Sequence, residues 1–201
     1  MKLELKSTTV TLRSGETVDI RPMVPRDAQA LLAFYRELPE EDRLFLDDDV
    51  TQDDWVKRLM SRVDYDNNVP LVAVHDGNIQ GHATLIRTHF GWMAHVGQIR
   101  VVVARPFQHK GLGKALVREL MKIAVSAGLE KMTARMMDNQ VGACRAFEKL
   151  GFKVEATFKG FVKDTHGKRR NMLLMANDVS HIWQAMDALV SDTPPTREQL
   201  Y

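Results

Sequence analysis

The chain of 201 residues is 44% hydrophobic and 27% charged, with 28 Lys and Arg against 26 Asp and Glu, ordinary proportions for one globular domain that exclude wholesale disorder. A single cysteine excludes an internal disulfide framework and a Cys-rich zinc site, and fits a reducing cytoplasm. The net charge of +2 argues against a nucleic-acid binder, no apolar run approaches the about 20 residues of a bilayer span, and the polar residues 1–15 predict no secretory signal.

In chain order, residues 10–12 and 18–23 read as short strands on either side of the Ser14-Gly15 turn. Pro25, Arg26 and Asp27 open a helix whose stripe is Leu31, Leu32, Phe34, Tyr35 and Leu38. Residues 37–54 then carry nine carboxylates against a single arginine, Arg43. Thr51 is placed to cap a second helix bearing Trp55, Val56, Leu59, Met60 and Val63. From Val69 the pattern turns to strands: residues 71–75 and 79–88 flank an Asp76-Gly77 hairpin signal. Residues 96–104 follow, and Val101, Val102 and Val103 predict a strand buried on both faces. Residues 112–127 form the strongest amphipathic helix, stopped by Gly128. Lys131–Met137 is the next strand, Asn139 caps a helix ending at Leu150-Gly151, and residues 152–162 and 169–177 are two last strands. The order predicts a mixed α/β sheet in a domain over residues 1–177, not a run of βαβ units. Residues 180–190 add an amphipathic helix with Ile182, Trp183, Met186, Leu189 and Val190 on one side. That face packs on its own domain or serves a homodimer, and the residues beyond it form a mobile tail.

The informative segment is Arg105-Pro106-Phe107-Gln108-His109-Lys110-Gly111-Leu112-Gly113-Lys114, between a buried strand and a strong helix. Its glycines let backbone approach a ligand closely, and a helix start presents unpaired N–H groups with a positive dipole end. With Lys110 and Lys114 beside them, these features ask for a diphosphate. A Walker A loop needs Gly at 108 and Ser or Thr at 115, where Gln108 and Ala115 stand. A dinucleotide fingerprint needs a third glycine where Leu116 stands.

The Gln-x-x-Gly-x-Gly spacing after an apolar strand resembles the acetyl-CoA signature of the GNAT superfamily of N-acetyltransferases. Asn139, Ala143, Ala146, Phe147 and the run from Glu148 to Phe152 resemble its following helix and Gly-Phe exit. Ile20, Arg21, Pro22 and Asp27 resemble its opening strand and helix. The likeness covers about residues 17–177. It implies a mostly antiparallel mixed sheet splayed between strands 4 and 5 and flanked by helices, to which this chain adds a C-terminal helix. It also implies acetyl-CoA as cosubstrate, a primary amine on a small molecule or on a protein N-terminus or lysine as acceptor, no metal, and direct attack in a ternary complex. Backbone amides of Gln108, His109, Lys110, Gly111, Leu112, Gly113 and Lys114 would hold the pyrophosphate. Val101, Val102 and Val103 would offer edge groups to the pantetheine arm, Asn139 would flank it, and Phe147 would lie near the thioester sulfur.

Two positions depart from the family pattern. The strand position that often carries a catalytic Glu is Gln98, and the position of the usual acidic Tyr is Phe147. Neither residue moves a proton. A lysine-like amine costs roughly 4–5 kcal/mol to deprotonate at pH 7, an α-amino group only about 1–1.5 kcal/mol, so catalysis survives best with a low-pKa amine. His95 and Glu148 are the first candidates for a replacement base, with His82 and Glu155 behind them. Cys144 reads as a small apolar helix residue. The acidic residues 37–54 could form a rim for a cationic acceptor, since residues 1–100 carry 12 basic and 16 acidic side chains and residues 101–201 carry 16 and 10. The Lys168, Arg169 and Arg170 cluster could face the adenosine phosphate. The runner-up reading is a CoA-binding regulatory module without turnover.

Overall fold

In a computed structural model the chain is described at residue 3 and over residues 5–46 and 48–179. The helix and tail expected over residues 180–201 lie outside these residues, as does Asp47. The described elements are β1 (Thr8–Thr11), β2 (Thr17–Pro22), α1 (Ala28–Glu37), α2 (Asp53–Arg62), β3 (Asn68–His75), β4 (Asn78–Ile86), β5 (Val96–Val103), α3 (Leu112–Ser126), β6 (Lys131–Met137), α4 (Val141–Glu148), β7 (Lys153–Lys163) and β8 (Arg169–Asp178). The strands form one sheet in the order β1-β2-β3-β4-β5-β6-β8-β7. Every neighbouring pair is antiparallel except β5 and β6. The parallel ladder pairs Val96–Gln98 with residues 131–133, while β5 runs on to Val103 and β6 to Met137.

The sheet divides the core into two layers. On one face α3 lays Leu112, Leu116, Val117 and Leu120 against Ala83, Leu85 and Ile99. On the other, α1 and α2 bring Leu31, Leu32, Tyr35 and Trp55 against Val72 and Val102. Strand β5 therefore buries Ile99 toward α3 and Val102 toward α1, while Val101 and Val103 are only half-buried. The Asp76-Gly77 turn has φ of 47° and 78°, the left-handed pair a two-residue hairpin requires. Gly128, at φ 73°, ends α3 as the sequence indicates.

Two helix starts differ from the sequence reading. Thr51 does not cap α2; Gln52 holds that position, because the Thr51 hydroxyl donates to Asp49 at 2.6 Å in a local turn that competes with the cap. Asn139 does not cap α4 either. Gln140 does, and its side-chain oxygen accepts from the Met137 amide at 2.9 Å. Before α1, the carboxylate of buried Asp27 binds both terminal nitrogens of Arg21 at 2.7 Å and the Val24 amide at 2.8 Å, fixing the chain where it leaves β2. No described helix is long and apolar enough to cross a membrane.

Candidate active site

The loop from β5 to α3 makes two left-handed steps, His109 at φ 61° and Gly111 at φ 103°. Glycine takes that conformation freely, whereas His109 holds it at a cost. Left-handed steps of this kind are found where successive amides gather around an anion, and the loop runs straight into the first turn of α3, whose amides have no partner within the helix. Gln108 anchors the loop, its side-chain amide donating to the Val103 carbonyl at 3.1 Å. The Arg13 amide donates to the Lys110 carbonyl at 3.1 Å, tying the turn after β1 to the same loop.

A cleft of about 530 Å³ opens over this loop. Val101, Val102, Val103, Gln108, His109, Gly111, Gly113, Lys114, Asn139 and Phe147 all line it. Lys110 and Leu112 do not appear among its walls: the Lys110 ammonium is bonded to Glu16 and lies over the Phe107 ring at 5.1 Å, and the Leu112 side chain is fully buried in the core. Three cations that sequence reasoning missed, Arg13, Arg145 and Lys149, stand in the walls with Lys114. Burial, and then repulsion from Lys149, Arg13 and Arg118, lowers the Lys114 pKa. A site that crowds cations in this way stores repulsion that a polyanion relieves. At Gly113 a Cβ would meet only Val103 at 3.7 Å; its absence leaves the backbone open to the cleft. Amides, cations and open glycine backbone together fit a diphosphate-bearing cofactor.

At its inner end the cleft shares Phe45, Val101, Gln140, Ala143 and Phe147 with a narrow pocket of about 70 Å³ between β5 and β6. Gln98 lies here. With the amide turned so that its oxygen faces Arg135, that oxygen accepts from Arg135 Nε at 3.0 Å and Nη2 at 3.1 Å. Where the resemblance leads one to expect a carboxylate, the chain has an amide beside a guanidinium. Phe147 is buried edge-to-face against Phe152, ring centroids 4.9 Å apart.

Arg100 stands in the wall of this pocket and of a third cavity, about 310 Å³, on the α1–α2 side of the sheet. Leu46, Val50, Trp55, Leu59, Val63 and Ile86 give that chamber an apolar lining, and Asp48, Asn68, Thr84 and His82 supply polar groups. The ladder pairs His82 with Val102 and Thr84 with Arg100, so all four share one face of the sheet. His82 is only 6% exposed. Its Nδ1 lies 2.7 Å from the Tyr35 hydroxyl and its Nε2 3.4 Å from Thr84 Oγ1. Burial pushes its pKa down to about 4, which keeps the imidazole neutral at pH 7. Burial also raises the Tyr35 pKa, so the phenol stays protonated.

The other expected bases fall elsewhere. His95 is exposed in the loop before β5 and Glu148 is exposed on α4; neither lines the three cavities. Glu155 pairs with Lys131 at 3.8 Å. The Cys144 pKa is raised by burial and then by Glu148. Among the described acidic residues of 37–54, Glu41, Asp42, Asp49, Asp53 and Asp54 are engaged by neighbouring groups. Glu41 and Asp42 bind Arg105, the latter at 2.9 Å, and Asp49 accepts from Thr51 and Gln52, bonds that hold its carboxyl at about 2. Asp42 and Phe45 of the same stretch wall the cleft, and Asp48 walls the chamber. Arg170 pairs with Asp164 at 2.9 Å, and none of Lys168, Arg169 and Arg170 lines the cleft.

A cationic loop at a helix start, leading to a narrow pocket just past the end of the parallel β5–β6 ladder, suits a cofactor-dependent group-transfer enzyme. The model of the acetyltransferase (GNAT) family matches residues 28–152, and the chain belongs to that family of acetyl-CoA-dependent N-acetyltransferases. It is similar to the L-amino acid N-acetyltransferase AaaT of Escherichia coli (strain K12), 25% identical over 108 residues, 53% of this chain and 65% of that protein, just under two thirds of its length. It is 23% identical over 160 residues to YwnH of Bacillus subtilis (strain 168), 77% of this chain and 95% of the other. The fold matches that of yncA from Salmonella typhimurium, solved with its cofactor acetyl-CoA, with a TM-score of 0.70, 20% identity, and coverage of 81% and 94%.

Proposed function

We propose that the protein transfers the acetyl group of acetyl-CoA to the amino group of a small carboxylate-bearing amine of amino-acid size, by direct attack in a ternary complex. The observation that carries this reading is Arg100, which walls both the narrow pocket beside Phe147 and the apolar chamber. A guanidinium there suits a carboxylate two or three atoms from the reacting nitrogen. The chamber, at about 310 Å³, lies at the small end of ligand pockets, and its apolar wall suits an uncharged side chain. The likeness to an L-amino acid N-acetyltransferase supports the same class.

In this reading the amides of Gln108, His109, Lys110, Gly111, Leu112, Gly113 and Lys114 hold the diphosphate, and Arg13, Lys114, Arg145 and Lys149 balance the remaining phosphate charge. The short β5–β6 ladder supports a splay beyond Gln98, where Val101, Val102 and Val103 offer backbone groups to the pantetheine arm. Asn139 flanks that arm and Phe147 faces its sulfur end. Acetyl-CoA supplies an acyl group activated as a thioester. The amine nitrogen bonds to the acyl carbon, the carbon–sulfur bond breaks, and the surplus proton leaves with the thiol or to water. Arg100 and Arg135 favour the neutral amine over the ammonium by repulsion, which substitutes in part for the missing carboxylate. An α-amino group needs only about 1–1.5 kcal/mol of such help at pH 7. The lone cysteine and an intracellular cosubstrate support a cytoplasmic location.

The test is CoA thiol release with matched acceptors: apolar L-amino acids, the same amines without the carboxylate, polyamines and lysyl peptides. Amino acids should be turned over best, and Arg100→Gln should raise their KM at least tenfold while sparing the KM for acetyl-CoA. Preference for the decarboxylated amines would overturn the acceptor assignment, and tight acetyl-CoA binding without release for any amine would overturn turnover itself.

A further inference from the structure

Tyr35, His82 and Thr84 form a polar array on the chamber wall that no step of the transfer uses. Tyr35 is 1% exposed, and its ring is held edge-to-face by Phe34 and Trp55, with centroids 5.1 and 5.2 Å away. Its hydroxyl lies out of reach of bulk water, and a buried O–H donor left unpaired is costly. Among the described residues, the group within its reach is His82 Nδ1, at 2.7 Å.

That bond decides which imidazole nitrogen carries the proton. A phenol O–H that donates to Nδ1 occupies the lone pair there, so a neutral ring bears its one proton on Nε2. The ring is neutral at pH 7 because burial lowers its pKa to about 4. The Nε2–H has Thr84 Oγ1 near it at 3.4 Å, longer than the about 2.7–3.2 Å of an ordinary N–H···O bond. A buried imidazole thus keeps a donor that the protein barely uses, in the wall of a chamber that Arg100 also lines. Thr84 pairs with Arg100 across the ladder, so this donor and the guanidinium belong to one face of the sheet. In this tautomer no imidazole lone pair is left to take a proton from the acceptor, so the array does not supply the base.

We propose that His82 is a specificity residue whose Nε2–H donates to a carboxylate oxygen of the acceptor, and that Tyr35 is the positioning residue that holds the imidazole in the required tautomer. This inference rests on the acceptor being a carboxylate-bearing amine and adds the residues that read its oxygen. A hydrogen bond to an ionised oxygen is about twice as strong as one between neutral groups, so a carboxylate displaces the long contact to Thr84.

Two measurements on the full chain test it. In protein carrying nitrogen-15 histidine, at pH 7 without acceptor, the His82 ring should show Nδ1 at the shift of an unprotonated nitrogen and Nε2 at that of a protonated one. Tyr35→Phe should move both signals. A proton on Nδ1 in the wild type overturns the proposal whatever the acceptor is. The second measurement compares kcat and KM for an apolar L-amino acid and for the amine lacking its carboxylate. Tyr35→Phe combined with His82→Phe removes both partners of the buried bond, so neither is stranded. It should raise the amino-acid KM on the order of tenfold and leave the KM values for acetyl-CoA and the decarboxylated amine little changed. His82→Gln, which keeps an amide N–H donor, should recover part of that loss. A wild type that prefers the amino acid, with a double variant that keeps the preference, overturns this proposal and leaves the acceptor assignment standing. A wild type that prefers the decarboxylated amine overturns both. Should the double variant fail to fold, Tyr35→Phe alone carries the kinetic test, with a several-fold rise in the amino-acid KM expected and an unchanged one overturning the positioning role.

Discussion

His82 offers a prediction whose size follows from its burial. Its pKa is near 4 in the folded protein against an ordinary 6.5, so between these values the unfolded chain binds a proton there that the native chain refuses. Stability therefore rises with pH through this window: the full native advantage is present above about pH 6.5 and is lost as pH falls toward 4. Between pH 7.5 and pH 5 the loss is about 2 kcal/mol, and it approaches about 3 kcal/mol below pH 4. For a chain of this length, 2 kcal/mol corresponds to a Tm drop of roughly 4–8 °C. His82→Gln keeps a polar partner for the Tyr35 hydroxyl but carries no titrating group, so its stability should fall by that much less over the same interval. The assay is urea or thermal unfolding of both proteins at pH 7.5, 6.5, 5.8 and 5 at constant ionic strength, read as the difference between the two curves. Parallel curves would show that His82 titrates alike in both states and would refute the reasoning from burial.

Other expectations follow from the same contacts. Gly113→Ala should leave the unliganded Tm nearly unchanged, because the new Cβ meets only Val103 at an ordinary 3.7 Å, yet weaken acetyl-CoA binding at least tenfold, about 1.4 kcal/mol, by titration calorimetry. Arg13→Gln combined with Lys149→Gln should raise the acetyl-CoA KM about tenfold with little change in kcat, and the difference should shrink at high salt as the cleft charges are screened. Asp27→Ala leaves Arg21 without its carboxylate and should cost about 3 kcal/mol, a Tm loss of roughly 6–12 °C. Burial alone would raise the Asp27 pKa, but Arg21 and the Val24 amide outweigh it and lower the pKa. The support Asp27 gives is therefore present at neutral pH and is lost as pH falls through the acid range, which an acid-unfolding comparison with Asp27→Asn would detect.

Much of the fold was legible because local physics repeats it. The Asp76-Gly77 hairpin, the Gly128 stop and the α3 stripe each depend on a few adjacent residues, and each stands where the pattern indicates. The helix caps were less legible. Thr51 and Asn139 are good capping residues in isolation, but Asp49 engages the Thr51 hydroxyl and Gln140 takes the cap of α4, competitions between near neighbours that propensity does not rank. At the site, the loop from Gln108 to Lys114 was legible as a candidate because its features are contiguous and Gly111 answers a backbone need, and five of its residues do line the cleft. Arg13, Arg145 and Lys149 could not, since they come from three separate segments and each alone looks like a solvated cation. His82 stood among the candidate bases, but nothing near it in the sequence indicated that it would be buried against Tyr35.

The sequence by itself determined the order of the elements and the strand, glycine-containing loop and helix around residues 108–114, because these are properties of adjacent or regularly spaced residues. Tertiary structure alone decided what surrounds them. It set Arg135 against Gln98, placed Arg100 between the narrow pocket and the chamber, buried His82 under Tyr35 until it stayed neutral, and tied part of the acidic segment to Arg105. The physical reason is that charge and burial act through space: a carboxylate or imidazole acquires its chemistry from neighbours that the chain brings together only when the sheet closes.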